Sequence, residues 1–458
     1  MAEPELTPER VDAVIDSKPF FVPLVLAAIV GLGVSLVAWG FLELIYQMQE
    51  ELFVHIPSGL GYHNGPPLWE MLLVLGIAGA IVAFAIVRLP GRGGHIPVLG
   101  LSTGKPTQPN ELAGVLLAAI ASIGGGLVLG PEAPLIAMGG GLALWTLRLS
   151  RREMPPTVPL VMAAAGSFAG LSFLFGSPVV AAVIMIEASG IGGPKAKLIL
   201  LPGLLAAGIG SLVSIGLGSL TGLSTSSFAL GPLPLPAFSQ PSVSDFAWTI
   251  PLAIVIAVVV VKGIIVLGRA TERPATSRAF VILPIVGLIV AVLASVFAQI
   301  SGHTTNAVIL SGQDALPKLI SQAGSWSLGA LALLITCKGI AWGLSLGSFR
   351  GGPTFPAIFL GSAAGLMVAG LPGFSTTPAV AVGLAAGTVA MLRLPLSAVV
   401  IGLILTSKTG LGVLPLIIVA AVVAYVTTIA LSRPKQAQTD TESERWEPTV
   451  AGPAAPST

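Results

Sequence analysis

The residues of this chain that are best suited to chemistry lie in two proline-led motifs inside apolar segments. The first is Gly130-Pro131-Glu132-Ala133-Pro134, and the second is Gly352-Pro353-Thr354-Phe355-Pro356. A helix that begins inside a membrane leaves its first N–H groups unpaired and carries about half a positive charge there, which favours an anion. Proline in the first turn sacrifices no hydrogen bond, and glycine lets the backbone close around a ligand. Both motifs therefore predict a binding site for a small inorganic anion.

The two motifs belong to an internal repeat. Residues 130–139 and 352–361 are identical at five of ten positions, and residues 177–184 match residues 394–401 at nearly the same offset. Glycine and proline interruptions at corresponding places in two halves are typical of inverted repeats with a site between them at the membrane midplane. The alternative is that glycine and proline are simply frequent in transmembrane helices. Two motifs matched in both halves favour the repeat.

Glu132 is the ionisable residue of the first motif. An ionisable group inside a membrane segment is a functional candidate by default, because burying it there is costly. At the start of a helix the carboxylate would be a tethered anion in the place meant for a free one. Glu132 is therefore predicted to be a gate whose protonation competes with anion binding. The alternative, a neutral glutamic acid that caps its own helix, stays open.

Composition places the whole chain in a membrane. Of its 458 residues, 54% are hydrophobic and only 9% are charged, against roughly 25% charged in a soluble domain. With a mean hydropathy of +0.94, this excludes a soluble enzyme and predicts an all-α polytopic protein surrounded by lipid. The net charge of +2 predicts no nucleic-acid partner. The single Cys337 and four scattered histidines lack metal-ligand spacing, so no metal and no cofactor are expected.

Several apolar segments are too short to cross a bilayer alone. An element of ten to sixteen residues covers only about half to four-fifths of a hydrocarbon core roughly 30 Å thick. Such elements are stable only when their polar ends are buried in protein or face a water-filled cavity. Examples are residues 178–190, 377–391 and 395–406. They predict discontinuous helices that meet at a mid-membrane site.

Basic residues indicate which loops face the cytoplasm. They cluster near residues 88–92, 148–152 and 269–278, and the positive-inside rule places these loops and both termini in the cytoplasm. Residues 7–18 are predicted to form a short amphipathic helix with Thr7 as its N-cap. The predicted organisation is a cytoplasmic N-terminal segment (1–18), a first membrane repeat (19–217), an extracellular loop (218–245), a second membrane repeat (246–433) and a disordered cytoplasmic tail (434–458).

At these motifs the sequence resembles the CLC family of chloride channels and proton-coupled chloride transporters, over about residues 20–431. Gly93-Gly94-His95-Ile96-Pro97 matches the family's GSGIP motif, residues 130–134 match G-(K/R)-E-G-P, and residues 351–356 match GGxFxP imperfectly. The resemblance implies the CLC fold, a homodimer with one pore per subunit, a bacterial-type plasma membrane and Glu132 as the gating glutamate. The implied anion-binding residues are Gly94, His95, Ile96, Gly130, Pro131, Ala133, Gly352, Pro353, Thr354 and Phe355.

The chain departs from the family around the central anion. Gly94 replaces the motif serine whose hydroxyl touches the ion, so a serine there would be expected to restore a donor. Pro353 stands where the family offers a backbone N–H, for which the Thr354 hydroxyl and N–H would have to compensate. No tyrosine occurs at residues 434–440, where the pore tyrosine is expected. His95 replaces a glycine and is either a hydrogen-bonded spacer or a proton sensor.

A further departure concerns protons. Where family transporters generally carry two successive glutamates, this chain has Glu187 followed by Ala188, so the internal proton acceptor is missing. Glu187 is then either a proton relay or a structural carboxylate at a helix end. The expectation is a channel-like or weakly proton-coupled anion pathway, and a coupled chloride/proton antiporter is the alternative. A membrane-embedded enzyme or scaffold is disfavoured because the segments lack HExxH, an Asp pair and a Ser with nearby His and acid.

Overall fold

Helices of two lengths make up the part of the chain that the computed structural model describes, which is residues 8–432 except 64, 102–104, 150–156, 191–192, 194 and 222–229. Eight helical stretches in this part are long and apolar enough to cross a membrane. Their outer faces carry large exposed apolar side chains, such as Ile29 on the second helix and Leu212 on the ninth, which are 62% and 69% exposed. A bilayer is the solvent that such a surface fits. The prediction of an all-α polytopic membrane protein is confirmed.

The α-helices of the described residues follow one another along the chain with short 3₁₀ and π-helical turns between them. In order they are α1 (Pro8–Ile15), α2 (Phe21–Glu50), α3 (Ile56–Gly59), α4 (Leu68–Arg88), α5 (Leu112–Ala119), α6 (Glu132–Leu149), α7 (Thr157–Phe175), α8 (Pro178–Ser189), α9 (Lys195–Thr221), α10 (Val243–Val258), α11 (Val266–Ser277), α12 (Ala279–Ser301), α13 (Ala315–Ser321), α14 (Leu328–Ser348), α15 (Thr354–Val368), α16 (Thr376–Leu392), α17 (Pro395–Leu405) and α18 (Leu414–Ser432).

The short helices begin and end close to where the sequence predicts. The segments 178–190, 377–391 and 395–406 correspond to α8, α16 and α17, which differ from them by one residue at most at either end. Proline occupies the first position of α8 and α17, where its missing N–H leaves no bond unmade. α8 ends at Gly190, whose φ of 60° is left-handed and suits glycine. Thr7 and residues 433–458 lie outside the described residues.

One long helix continues beyond its apolar segment. A π-helical turn at Val259–Ile265 joins α10 to α11, so that one helical stretch runs from Val243 to Ser277. The hydrophobic pattern stops near residue 268, and α11 continues through Arg269 and Arg273. Helical hydrogen bonding continues past the end of the apolar pattern, since backbone pairing does not require an apolar side chain.

Glycine pairs bring the core helices of each half into close contact. α6 crosses α7 with Gly139 against Gly166, and a Cβ atom on either residue would overlap the carbonyl oxygen of the other. α15 crosses α16 in the same way, with Gly361 against Gly383. Gly139 and Gly361 occupy the same position of the sequence repeat. The two halves therefore use one packing solution, in which small residues let helix backbones approach closely.

Replacing Gly361 by alanine should lower the free energy of unfolding by about 1–3 kcal/mol, because the added methyl group forces α15 away from α16. Thermal unfolding in detergent measures the change. Gly33→Ala is the matched control, because a Cβ atom at Gly33 on α2 meets nothing within 4 Å. Equal melting temperatures of the two variants would contradict the packing role of Gly361.

Candidate functional site

The two predicted motifs meet through a backbone bridge. The Gly130 N–H donates to the Gly352 carbonyl oxygen at 2.7 Å, and the Gly352 N–H donates to the Gly130 carbonyl oxygen at 2.5 Å. α6 begins at Glu132 and α15 at Thr354, each two residues after its bridged glycine. Two helix N-termini, one from each half, therefore start side by side. Their unpaired N–H groups share one small region.

The Glu132 carboxylate lies between these two helix starts. Its side chain is fully buried, and Oε1 accepts the Phe355 N–H at 2.9 Å. The other oxygen, Oε2, is also buried, and the Thr354 hydroxyl and N–H lie beside the carboxylate. The carboxylate of α6 thus accepts an N–H from the first turn of α15, which is the place the macrodipole of that helix offers to an anion.

Glycine at both bridged positions leaves room for this carboxylate. A Cβ atom at Gly130 would lie 2.5 Å from each Glu132 oxygen, and one at Gly352 would overlap Oε2. Both positions have negative φ, so the requirement is for space and not for an unusual backbone conformation. The Phe355 ring closes the region by stacking on Phe175, with 5.6 Å between ring centroids.

Thr354 and Pro353 determine which donors the second helix start offers. Pro353 is the residue before α15 and has no N–H. Thr354 is fully buried, and its hydroxyl lies beside the Glu132 carboxylate. A hydroxyl at this place can donate to the carboxylate or to an anion that replaces it. On the side of α6, the Pro131 carbonyl accepts the Leu135 N–H at 3.0 Å and so closes the first turn.

The GSGIP-like motif, residues 93–97, has a left-handed backbone at Gly94. Gly94 has φ +91°, and a Cβ atom there would approach Val115 Cγ1 to 3.2 Å. A serine at this position would be strained, so the substitution alone does not supply the missing donor that the sequence leads one to expect. Ile96 is extended, and its carbonyl accepts the Leu99 N–H at 3.1 Å.

The His95 ring donates a hydrogen bond in the loop after α4. Its Nε2 lies 2.7 Å from the Gly100 carbonyl oxygen. Burial lowers the pKa of His95, the Gly100 bond opposes this shift, and the charge of Arg350 lowers it further. These contacts favour the hydrogen-bonded spacer over the proton sensor.

A cavity joins residues 93–97 to the start of α6. It has a volume of about 560 Å³ and is lined by His95, Lys105, Ala133, Ile136 and Ser189, among others. Ala133 directly follows Glu132, so this cavity, called here the Lys105 cavity, reaches the first turn of α6. Its lining is mostly apolar and includes the cation Lys105.

A second cavity lies at the other end of α2. It has a volume of about 230 Å³ and is lined by Tyr46, Phe53, Leu310, Gly312 and Asp314, among others, and is called here the Asp314 cavity. The Lys197–Asp12 ion pair at 2.7 Å places α1 beside the start of α9, near Ile199 of the Lys105 cavity. From there α2 runs 30 residues, about 45 Å. The two cavities therefore open at opposite ends of the membrane bundle.

Glu187 forms no hydrogen bond with Glu132 in the part of the chain that the structure describes. Its carboxylate caps the start of another helix, α17. Its Oε1 accepts the Leu396 N–H at 2.9 Å, and its Oε2 accepts the Ser397 N–H at 2.8 Å and hydroxyl at 2.7 Å. These groups belong to the first turn of α17. The carboxylate satisfies two of the unpaired helix donors, which favours the structural interpretation over the proton relay.

Sequence reasoning missed two buried cations, Arg350 and Lys338. Arg350 directly precedes Gly351 and is only 5% exposed, and its Nη1 donates to the carbonyl oxygens of Ser348 and Phe349 at 3.3 and 3.1 Å. Its N–H donates to Ser122 Oγ at 3.1 Å. Lys338 lies at the middle of α14. The signal for both was present, since each is a charge within or beside an apolar segment.

The fold is that of the CLC transporters. Short helices from two related halves start face to face inside a membrane bundle. Three solved structures share this fold. A slow cyanobacterial Cl⁻/H⁺ antiporter gives a TM-score of 0.70 at 19% identity over 90% of this chain and 95% of that chain. A CLC-type fluoride/proton antiporter gives 0.69 at 18% over 93% and 98%, and a eukaryotic CLC transporter gives 0.67 at 17% over 91% and 73%.

The sequence itself gives the family. The model of the family described as "Voltage gated chloride channel" matches residues 100–428. The chain is also 30% identical over 351 residues to "Putative ion-transport protein YfeO" of Salmonella choleraesuis (strain SC-B67), covering 74% of this chain and 78% of that relative. The YfeO of Salmonella paratyphi A (strain ATCC 9150 / SARB42) matches equally. The chain belongs to the voltage-gated chloride channel (CLC) family. The predicted resemblance and the predicted CLC fold are confirmed. The chain is an integral multi-pass membrane protein of an anion-transporting family.

Replacing Glu187 by alanine should lower the free energy of unfolding by about 2–3 kcal/mol, because the first turn of α17 loses the carboxylate that accepts its N–H groups. Thermal unfolding in detergent measures the loss. Ser397→Ala removes only the hydroxyl bond and should change stability by about 1 kcal/mol or less. An alanine variant as stable as the parent would contradict the capping role.

Proposed function

We propose that the chain transports chloride or a similar small anion past Glu132, whose carboxylate gates the pathway. The observation that carries this proposal is the hydrogen bond from the Phe355 N–H to Glu132 Oε1, because the carboxylate occupies the anion position at the start of α15. A free anion entering this position must replace the carboxylate. The Thr354 hydroxyl, which lies beside the carboxylate, supplies one further donor.

The pathway runs between the two cavities. The Lys105 cavity reaches Ala133 at the start of α6, and the Asp314 cavity includes Gly312, which packs against Phe359 of α15. Glu132 lies between the starts of these two helices. The Lys105 cavity faces the cytoplasm in this proposal, because Arg88 and Arg92 closely precede His95 of its lining and Arg148 donates to Gln108, three residues after Lys105.

Channel-like or weakly coupled flow is the favoured mode. Glu187 is engaged at the start of α17, and the next residue, where family transporters carry the proton acceptor, is Ala188. The proton route from the Lys105 cavity to Glu132 therefore has no carboxylate at this point. Coupled chloride/proton exchange is the alternative, favoured by the fold shared with structures described as Cl⁻/H⁺ and fluoride/proton antiporters.

Assembly and location follow the family pattern in this proposal. We infer a homodimer in a bacterial-type plasma membrane, with both termini in the cytoplasm and one pathway in each subunit. The Lys197–Asp12 pair keeps α1 against α9 on the cytoplasmic side. No cofactor and no nucleic acid take part, and the transported anion is the ligand.

Replacing Glu132 by glutamine should leave anion flux present or faster and remove its dependence on pH. The amide carries no charge that competes with the anion, and it does not titrate. Chloride efflux from proteoliposomes at several pH values measures both effects. Glu51→Gln is the matched control, since Glu51 is 57% exposed in its side chain and pairs only with His55 among the described residues. A folded variant without any flux would contradict the gate.

A chloride gradient across proteoliposomes should drive little or no proton uptake, because the acceptor position holds Ala188. Simultaneous recording of chloride and pH measures the ratio. Glu132→Gln provides the uncoupled baseline. Proton movement at a fixed ratio to chloride in the unmodified protein, absent in this variant, would establish the antiporter instead.

A further inference from the structure

Lys338 is a fully buried ammonium with an unusual set of neighbours. Its Nζ lies 3.0–3.1 Å from the carbonyl oxygens of Ala307, Val308, Ile309 and Leu310, so that three N–H groups are shared among four acceptors. The ring of Phe359 lies on another side, 4.7 Å from Nζ to its centroid. Four consecutive carbonyls and one aromatic face thus surround a single charged atom.

This environment fits the charged form of the side chain. An ammonium has three donors and no acceptor, whereas a neutral amine would direct its lone pair at a carbonyl oxygen. Among the described residues no carboxylate forms an ion pair with Lys338. A lone charge inside a membrane bundle is costly unless oriented dipoles replace its hydration shell. Backbone carbonyls that converge in this way are what channels use to bind desolvated cations.

The backbone of residues 307–310 is arranged around the lysine. Leu310 has φ +64°, a left-handed conformation that is unfavourable for leucine and persists only when its surroundings impose it. Its N–H donates to the Gly126 carbonyl oxygen at 2.9 Å, in the stretch that leads to Gly130. The segment is therefore tied both to α14 and to the approach to the first motif.

The segment also lies on the route to Glu132. Ala307, Leu310 and Gly312 line the Asp314 cavity. Phe359, which contacts the ammonium, follows Phe355 by one helical turn on α15. The carbonyl cluster is thus between the Asp314 cavity and the start of α15. Without a bound cation, four carbonyl oxygens at this place would present negative potential to an incoming anion.

We propose that residues 307–310 form a cation site that the Lys338 ammonium occupies permanently, and that the resulting positive potential assists anion entry from the Asp314 cavity. The first part stands without any transport activity. The second part rests on the proposed function. Lys338 is thus a positioning residue whose charge acts through the cavity wall. In Lys338→Ala, the carbonyl oxygens should form a site for a small free ammonium ion.

The cation site is tested by chemical rescue of stability. Methylammonium chloride, at a concentration about tenfold above its dissociation constant, should raise the melting temperature of Lys338→Ala by about 2 °C. Tetramethylammonium chloride at equal concentration lacks N–H donors and should have no effect. Lys262→Ala is the matched control, because Lys262 is exposed and donates to the single carbonyl of Leu431. Equal effects of the two salts on Lys338→Ala, or rescue of the control, would overturn the cation site.

The role in anion entry is tested by flux in both directions. Lys338→Met should raise the half-saturating chloride concentration about tenfold when chloride enters from the Asp314 cavity side and change it little from the other side, whereas Lys338→Arg should stay near the parent value. An unchanged or symmetric effect would overturn assisted entry.

If only the arginine variant folds, a charge in the carbonyl site is required, as proposed. If only the methionine variant folds, or neither folds, the proposal fails. Absence of flux in the unmodified protein would refute the proposed function and leave the rescue experiment valid.

Discussion

The structure depends on the unpaired N–H groups at two helix starts that lie inside a membrane. Lipid offers no hydrogen bonds, so α6 and α15 can begin there only if something accepts their first donors. The Gly130–Gly352 bridge sets the two starts side by side, and the Glu132 carboxylate accepts the Phe355 N–H. The proposed function places a free anion of similar size at the same donors. In that proposal, stability and anion binding are consequences of one arrangement.

Three side chains apply this rule to charges and dipoles. Glu132 brings a negative charge to the start of α15, Glu187 does so at the start of α17, and Lys338 brings a positive charge to four carbonyl oxygens. In each case a tethered ion neutralises backbone dipoles that have lost their water. The two carboxylates differ in the donors whose hydrogen bonds they accept. Both Glu187 oxygens accept hydrogen bonds from the start of α17, whereas Glu132 combines the Phe355 N–H with the neighbouring Thr354 hydroxyl at the start of α15.

Much of this could be predicted from the sequence, because it depends on local patterns. The repeat identified the two motifs, and proline marked the starts of α8 and α17. The contacts across the halves could not be predicted, since nothing local places Phe355 against Glu132. Lys338 was missed because its four acceptors come from a turn about thirty residues earlier in the chain. Gly94 shows a different limit, because a missing hydroxyl is visible in sequence but the φ of +91° behind it is not.

The glycines at 130 and 352 are required for space. A Cβ atom at either position would lie 2.5 Å or less from a Glu132 oxygen, so any side chain there would displace the carboxylate. The carboxylate therefore fills a space that both halves shape. In the proposed gate, an entering anion takes this space and the Glu132 side chain moves toward one of the two cavities. Glu132 is the first residue of α6, so the proposal assigns this exchange to rotation of the side chain, with the bridged helix starts staying in place.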